Sequence, residues 1–269
     1  MTERSVARCR CYGNLEPMRI VVCIKHVPDV QSERRIEDGR LVRGEEDVLN
    51  ELDENAVEAA VALAEEADGE VIALTMGPED AEDGVRRALQ MGADSGVVVA
   101  DDDLAGADVV TTARVLAAAI ERIGEVDLVV TGMASLDSMT SMLPGALAAA
   151  LHLPAVTLAN RLEVDGGAVT VTRTVGTVRE VLSAPLPALV SVTDQANEPR
   201  YPNFAAMRAA KKKPIDFWDV SELGLQIAEP AVAVVDDEAR PAREAGIIRT
   251  DAGEAGRELA AWLVENKLV

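Results

Sequence analysis

The sequence predicts an α/β protein built on a doubly wound, mostly parallel sheet with a C-terminal arm. Two observations predict it. Short, near-continuous apolar runs recur at residues 19–25 (RIVVCIK), 70–75 (EVIALT), 95–100 and 127–131 (DLVVT). Runs of this kind suit central parallel strands buried on both faces. Between them lie segments of helical periodicity, so strand and helix alternate four times, the pattern of crossover-connected parallel strands.

The chain has 269 residues, enough for one large domain with an arm, and only 2% aromatics, so the core must come from Val, Leu, Ile and Ala. The formal net charge of −21 disfavours a nucleic-acid partner, which needs clustered positive charge, and adhesion to anionic membranes. Two readings of that charge remain: an acidic surface for a cationic partner, or solvation in a very salty cytoplasm. The spread of acidic residues along the whole chain favours the second. No run approaches the ~20 apolar residues that span a bilayer, and no apolar segment follows the N-terminal arginines as in a signal peptide. The chain reads as cytoplasmic, without direct membrane insertion.

Residues 1–17 are polar and aperiodic and read as a disordered extension, with Met18 a second candidate start. Cys9 and Cys11 have no second cysteine pair and read as free thiols. After the first strand, KHVPD turns the chain away. Residues 35–43 alternate around Asp38-Gly39, a hairpin signal. Asp53 reads as the N-cap of a helix with a Val57, Ala60, Val61, Ala64 stripe. A helix over 79–91 closes on Gly92, and Asp108 caps another that reaches Ile123. Asp101-Asp102-Asp103 reads as a solvated loop rather than a metal site.

Ligands of such sheets sit at the carboxyl ends of the strands, which directs attention to the turn after the fourth run, GMASLDSMTS. It leads into a helix over 142–151, and a helix start with Ser and Thr hydroxyls is a candidate anion site. A fifth strand starts near residues 152–157, and Asp165-Gly166-Gly167 marks a hairpin within 163–172. Residues 188–192 (ALVSV) form a further buried strand. A polar loop and Asn203 then start a helix carrying Phe204, Met207 and Ala210, and Lys211-Lys212-Lys213 end it before Pro214. Residues 226–269 hold a Pro- and acid-rich linker and a helix over 254–264.

The stretch NEPRYPNFAAMRAAKKKP, residues 197–214, resembles the signature of the beta (small) subunit of electron transfer flavoproteins. The passages EVIALTMGP and RALQMGAD, and NELDE at 50–54, resemble the same family, and the likeness runs from Arg19 to the C-terminus. It implies a Rossmann-like, adenine-nucleotide-binding type of α/β domain over 18–225 and an arm over 226–269 that contacts the alpha subunit. It implies an electron carrier rather than an enzyme, holding FAD shared with the alpha subunit, with AMP or a second FAD in its own crevice. Electrons would pass from dehydrogenases, such as acyl-CoA dehydrogenases, to a membrane quinone oxidoreductase or another acceptor.

Carried over residue by residue, the resemblance assigns Cys23, Asn50, Leu52, Asp53, Met76, Asp137, Ser138, Thr140, Ser141, Leu143 and Arg173 to cofactor binding. It assigns Asn197, Glu198, Pro199, Arg200, Tyr201 and Phe204 to partner docking, with Phe204 where the family usually has a leucine anchor. Glu51 and Leu52 replace a proline and a phenylalanine of the family pattern, and Met139 and Met142 stand where it offers an aspartate and a glutamine. No Ser/His/Asp set, metal-ligand spacing or paired carboxylates point to catalysis. A nucleotide hydrolase or a homodimeric adenine-nucleotide module on a similar sheet would need a glycine-rich phosphate motif that the sequence lacks.

Overall fold

The computed structural model describes residues 17–269 except 33, 34, 229, 233, 239, 240, 242–245, 247, 249 and 252. The readings of Cys9, Cys11 and the rest of 1–16 lie outside the described residues. Two compact units are present, one ending at Val235 and the other Asp236–Val269.

The first unit begins with β1 (Arg19–Cys23), β2 (His26–Pro28), the hairpin β3 (Ile36–Glu37) and β4 (Arg40–Leu41), and β5 (Asp47–Leu49). Then come α1 (Glu51–Ala67), β6 (Glu70–Met76), α2 (Glu82–Met91), β7 (Ser95–Val99), α3 (Val109–Ile123), β8 (Leu128–Gly132) and α4 (Leu143–Ala150). After β9 (Ala155–Ala159) follow β10 (Arg161–Asp165), β11 (Ala168–Val175), β12 (Val178–Pro185), β13 (Ala188–Val192), α5 (Phe204–Ala210) and β14 (Ile215–Trp218). The second unit contains α6 (Ala255–Glu265), which exposes Leu259 and Trp262.

Seven strands form one sheet in the order β14-β7-β6-β1-β8-β13-β9, and every neighbouring pair is parallel. The doubly wound sheet expected from the apolar runs is therefore present. Strand β1 shows why its run had to be continuous. Ile20 and Val22 face the layer of α1 and α2, with Val57, Val61, Val85 and Leu89. Val21 and Cys23 face the layer of α3 and α4, with Val115, Leu116 and Leu147. With both faces covered, alternation has no solvent side to mark. Gly96 of β7 lets α2 come close, because a Cβ there would strike the side chain of Val85.

Three differences from the sequence reading have physical reasons. The hairpin at Asp165-Gly166-Gly167 is part of a three-stranded antiparallel sheet, β10-β11-β12. The sequence of its last strand, VREVLSAP, is half-exposed and shows no clean period. Strand β14 adds to the sheet edge beside β7, where Phe217 stays exposed and only four residues pair, too short a run to stand out. Asp53 is not a cap. Asn50 occupies the N-cap position of α1, and Asp53 lies within the first turn and buried.

Candidate functional site

Cys23, Met76 and Gly132 end three neighbouring strands, β1, β6 and β8, and so line the carboxyl edge of the sheet. Gly132 has to be glycine, since a Cβ would collide with the Asp53 carboxylate and the Leu52 carbonyl of α1. That close approach lets the N-terminus of α1 organise the loop after β8. The Asn50 side chain makes no capping bond. Its Nδ2 donates to the Ala134 carbonyl at 2.9 Å, and its Oδ1 accepts from the Leu136 N–H at 3.0 Å. Asp53 accepts from the Lys25 N–H at 2.8 Å. Burial pushes its carboxyl up to about 7 against the opposing pull of Asn50, Lys25 and the Gly132 N–H. Burial, with the charge of Asp53, pushes the Cys23 thiol up to about 12, so it stays a protonated, inert packing group.

Asp137 carries the charge of the loop. Its side chain is 2% exposed and ion-pairs with Lys25 at 2.9 Å and with Arg43. Arg43 also donates to the His26 carbonyl at 3.1 Å, which ties the segment after the β3–β4 hairpin to the start of β2. Burial works against the Asp137 charge, but Lys25, Arg43 and Ser135 hold its carboxyl down at about 2. Lys25 and Arg43 were not singled out from the sequence. Their partner lies 112 and 94 residues away, and no local pattern links them.

Beyond Asp137 the loop opens to solvent. The Ser135 and Ser138 hydroxyls meet at 2.8 Å. Met139 and Ser141 adopt left-handed backbone, with φ of 52° each, and Ser138, Thr140 and Ser141 are exposed. Leu143 is half-buried and opens α4, which has Pro144 in its first turn and no side-chain cap, leaving first-turn N–H groups without an intrahelical acceptor. Met139 and Met142 are also exposed.

A second cluster lies on α1 beyond its first turn. Asn55 Nδ2 donates to the Asn197 backbone carbonyl at 3.0 Å, and Asn197 Nδ2 returns a bond to the Asn55 carbonyl at 3.0 Å. Arg200 binds both Glu58 and Glu65. Asn203 caps α5 by accepting from the Ala206 N–H at 2.9 Å. Glu198 and Pro199 are exposed and Pro202 is buried. Tyr201 is 89% exposed with the Arg87 guanidinium 5.6 Å from its ring centre, and Phe204 is 71% exposed. Helix α5 buries only Ala210. Of the three lysines expected to finish α5, Lys213 instead caps α2, donating to the carbonyls of Leu89 at 3.3 Å, Gly92 at 3.2 Å and Ala93. Burial lowers its pKa.

The structure thus gathers Cys23, Asn50, Leu52, Asp53, Asp137 and Ser138 around the ends of β1 and β8, with Met76 at the end of adjacent β6 and Thr140, Ser141 and Leu143 following in the same loop. The six docking candidates follow β13 on the flank of α1. Arg173 belongs to neither group, since its partners are Glu180 at 2.7 Å and the Thr157 carbonyl at 3.4 Å, around the three-stranded sheet. Among the described residues, no group of three or more His, Cys, Asp or Glu side chains is placed to hold a metal. No helix among them is long and apolar enough to cross a membrane.

The parallel sheet and the loops at its carboxyl edge define a doubly wound α/β domain of the kind that takes ligands at strand ends. Residues 38–223 match the model of the electron transfer flavoprotein domain. The chain is 38% identical over 263 residues to the electron transfer flavoprotein subunit beta of Mycobacterium tuberculosis H37Rv, covering 93% of this chain and 99% of that one. It is 32% identical over 251 residues to the Bacillus subtilis subunit beta, covering 91% and 97%. It is also 36% identical over 212 residues to the caffeyl-CoA reductase-Etf complex subunit CarD of Acetobacterium woodii, covering 77% and 80%. The chain belongs to the electron transfer flavoprotein family and is a small, beta-type subunit.

Proposed function

We propose that this chain is the non-catalytic half of a heterodimeric electron carrier, sharing FAD with a larger alpha subunit. Electrons arrive from dehydrogenases such as acyl-CoA dehydrogenases and leave to a membrane quinone oxidoreductase or a comparable acceptor. The observation that carries this reading is the 197–204 segment, where two aromatic side chains, Tyr201 and Phe204, stand in solvent on a loop pinned to α1. Large exposed apolar groups on an ordered segment are how protein partners are anchored.

The crevice at the ends of β1 and β8 suits a nucleotide, AMP or a second FAD. N–H groups at the start of α4 lack intrahelical acceptors, and Lys25 with Arg43 outnumber Asp137 in charge. The shared flavin, when bound, supplies the electron chemistry. The chain's own residues bind and orient it, with Leu52 and Arg173 as contributors, and no side chain here needs to move a proton. Residues 226–269 act as the arm toward the alpha subunit, and the site of action is the cytoplasm. The test is co-purification with the alpha subunit, followed by cofactor extraction and quantitation. One FAD and one AMP per heterodimer are expected, two FAD if the crevice takes flavin instead, and with AMP in the crevice the full chain purified alone should be colourless. A yellow, stoichiometric flavoprotein from this chain alone would sink the shared-site reading.

A further inference from the structure

We propose that Arg200 is a positioning residue for partner docking: locked between Glu58 and Glu65, it fixes the loop that presents Tyr201 and Phe204 and does not itself touch the partner. The inference rests on the docking reading above and goes beyond it by separating the residues that make contact from the one that shapes the loop.

The geometry is that of a guanidinium with almost nothing left to offer. Its Nε donates to Glu58 Oε2 at 2.7 Å and its Nη1 to Glu65 Oε1 at 2.6 Å. Its Nη2 donates to Glu58 Oε1 at 3.1 Å and to Glu65 Oε2 at 3.0 Å. Four of the five guanidinium N–H groups are therefore engaged. The Arg200 backbone N–H also donates to Glu58 Oε2, at 3.0 Å, so one carboxylate grips main chain and side chain together. Glu58 and Glu65 are seven residues apart on α1, two turns along the same face, and they bracket the guanidinium from both sides. Its hydrogen bonds to Glu65 and Glu58 stabilise the charged form of Arg200, and the same bond to Arg200 lowers the Glu65 carboxyl.

Three residues earlier, the reciprocal Asn55–Asn197 pair holds the other end of the loop to the same helix. Tyr201 follows Arg200 directly and Phe204 lies four residues on, both turned out to solvent. The Arg200–Glu65 pair, 32% and 60% exposed, adds little to global stability. Its effect falls on the free state of the loop, because ordering a docking segment in advance lowers the entropy lost on binding.

The experiment uses the heterodimer purified with its alpha subunit, titrated as electron acceptor against an acyl-CoA dehydrogenase reduced by its acyl-CoA substrate. Arg200→Ala is expected to raise the KM for the heterodimer about tenfold with kcat and thermal midpoint held, and to speed amide exchange across residues 198–203. Arg200→Lys, which cannot fork onto two carboxylates, should recover only part of the loss. The Glu58→Ala/Glu65→Ala double variant should raise KM as much, and adding Arg200→Ala to it should cost nothing more. If Arg200→Ala still weakens docking in that background, the arginine touches the partner and the proposal is overturned. Phe204→Ala separates the two layers. If it raises KM while Arg200→Ala does not, the lock is wrong and the docking reading stands; if it leaves KM unchanged, the docking reading falls and the lock with it.

Discussion

The loops after β8 and β13 leave adjacent parallel strands on the same edge of the sheet, and both are fastened to α1, yet by opposite means. The β8 loop is held from within. Asn50 bonds its backbone, and the carboxylate of Asp137 is buried under Lys25 and Arg43. The β13 loop is held from outside, by an arginine and two glutamates that stay partly in water. The first arrangement hides its charges and leaves small polar groups at an open tip. The second keeps its charges near solvent and turns two aromatic rings outward. If the proposed function holds, the first loop closes around a small molecule and the second is read by another protein, and the two differ in which side of the chain is fixed.

The sharpest separation of the two should come from acidity. Asp53 titrates at 3.8 when unfolded but is pushed up to about 7 in the fold, so the native state prefers the protonated acid. Its stabilising contribution is full below about pH 4 and is lost as pH rises to about 7. That difference corresponds to on the order of 4 kcal/mol. Asp53→Asn should remove this decline, seen as a flatter urea midpoint between pH 4 and 7 than that of the wild type, while docking through the β13 loop is unaltered. An unchanged pH profile would mean that Asp53 is ionised in the fold at all these pH values.

A smaller effect is expected on the other side of the comparison. Phe204→Ala should weaken partner affinity by about 2 kcal/mol, roughly thirtyfold, with thermal midpoint and flavin content unchanged. A large fall in midpoint with an unaltered docking rate would make Phe204 a packing residue instead. The smallest effect belongs to the tip of the β8 loop. If backbone N–H groups carry the nucleotide, Thr140→Ala costs one hydrogen bond, about 1 kcal/mol of AMP affinity by calorimetry on the heterodimer. A wild-type heterodimer that binds no AMP would show that the loop, with Met139 and Met142 where polar groups are usual, has given up that ligand.

The parts legible in the sequence were those with local causes. Strands buried on both faces announce themselves as apolar runs, and Asp108 caps α3 through the Thr111 N–H as its position implies. Tyr201 and Phe204 could be placed because a long motif surrounds them. What was not legible depends on distance along the chain. Lys25 and Arg43 meet Asp137 only after β1 and β8 pair side by side. Lys213 looks like the end of its own helix and caps another. Asp53 carries the signature of a cap, but Gly132 comes so close that the aspartate is drawn inward to the sheet edge.

Helix α1 also acts as an angular gauge. Asn50 grips the loop after β8 and Asp53 the Lys25 N–H beside it after β1, while Asn55, Glu58 and Glu65 grip the other loop, so the rotation between those two sets is fixed by the winding of a single 17-residue helix. One residue inserted after Asp53 would swing the second set by about 100° and leave Arg200 facing empty water. Residues added after Glu65 leave that rotation untouched. The helix is therefore free to vary in length at its far end, but its phase between Asp53 and Asn55 cannot drift without separating the two loops it serves.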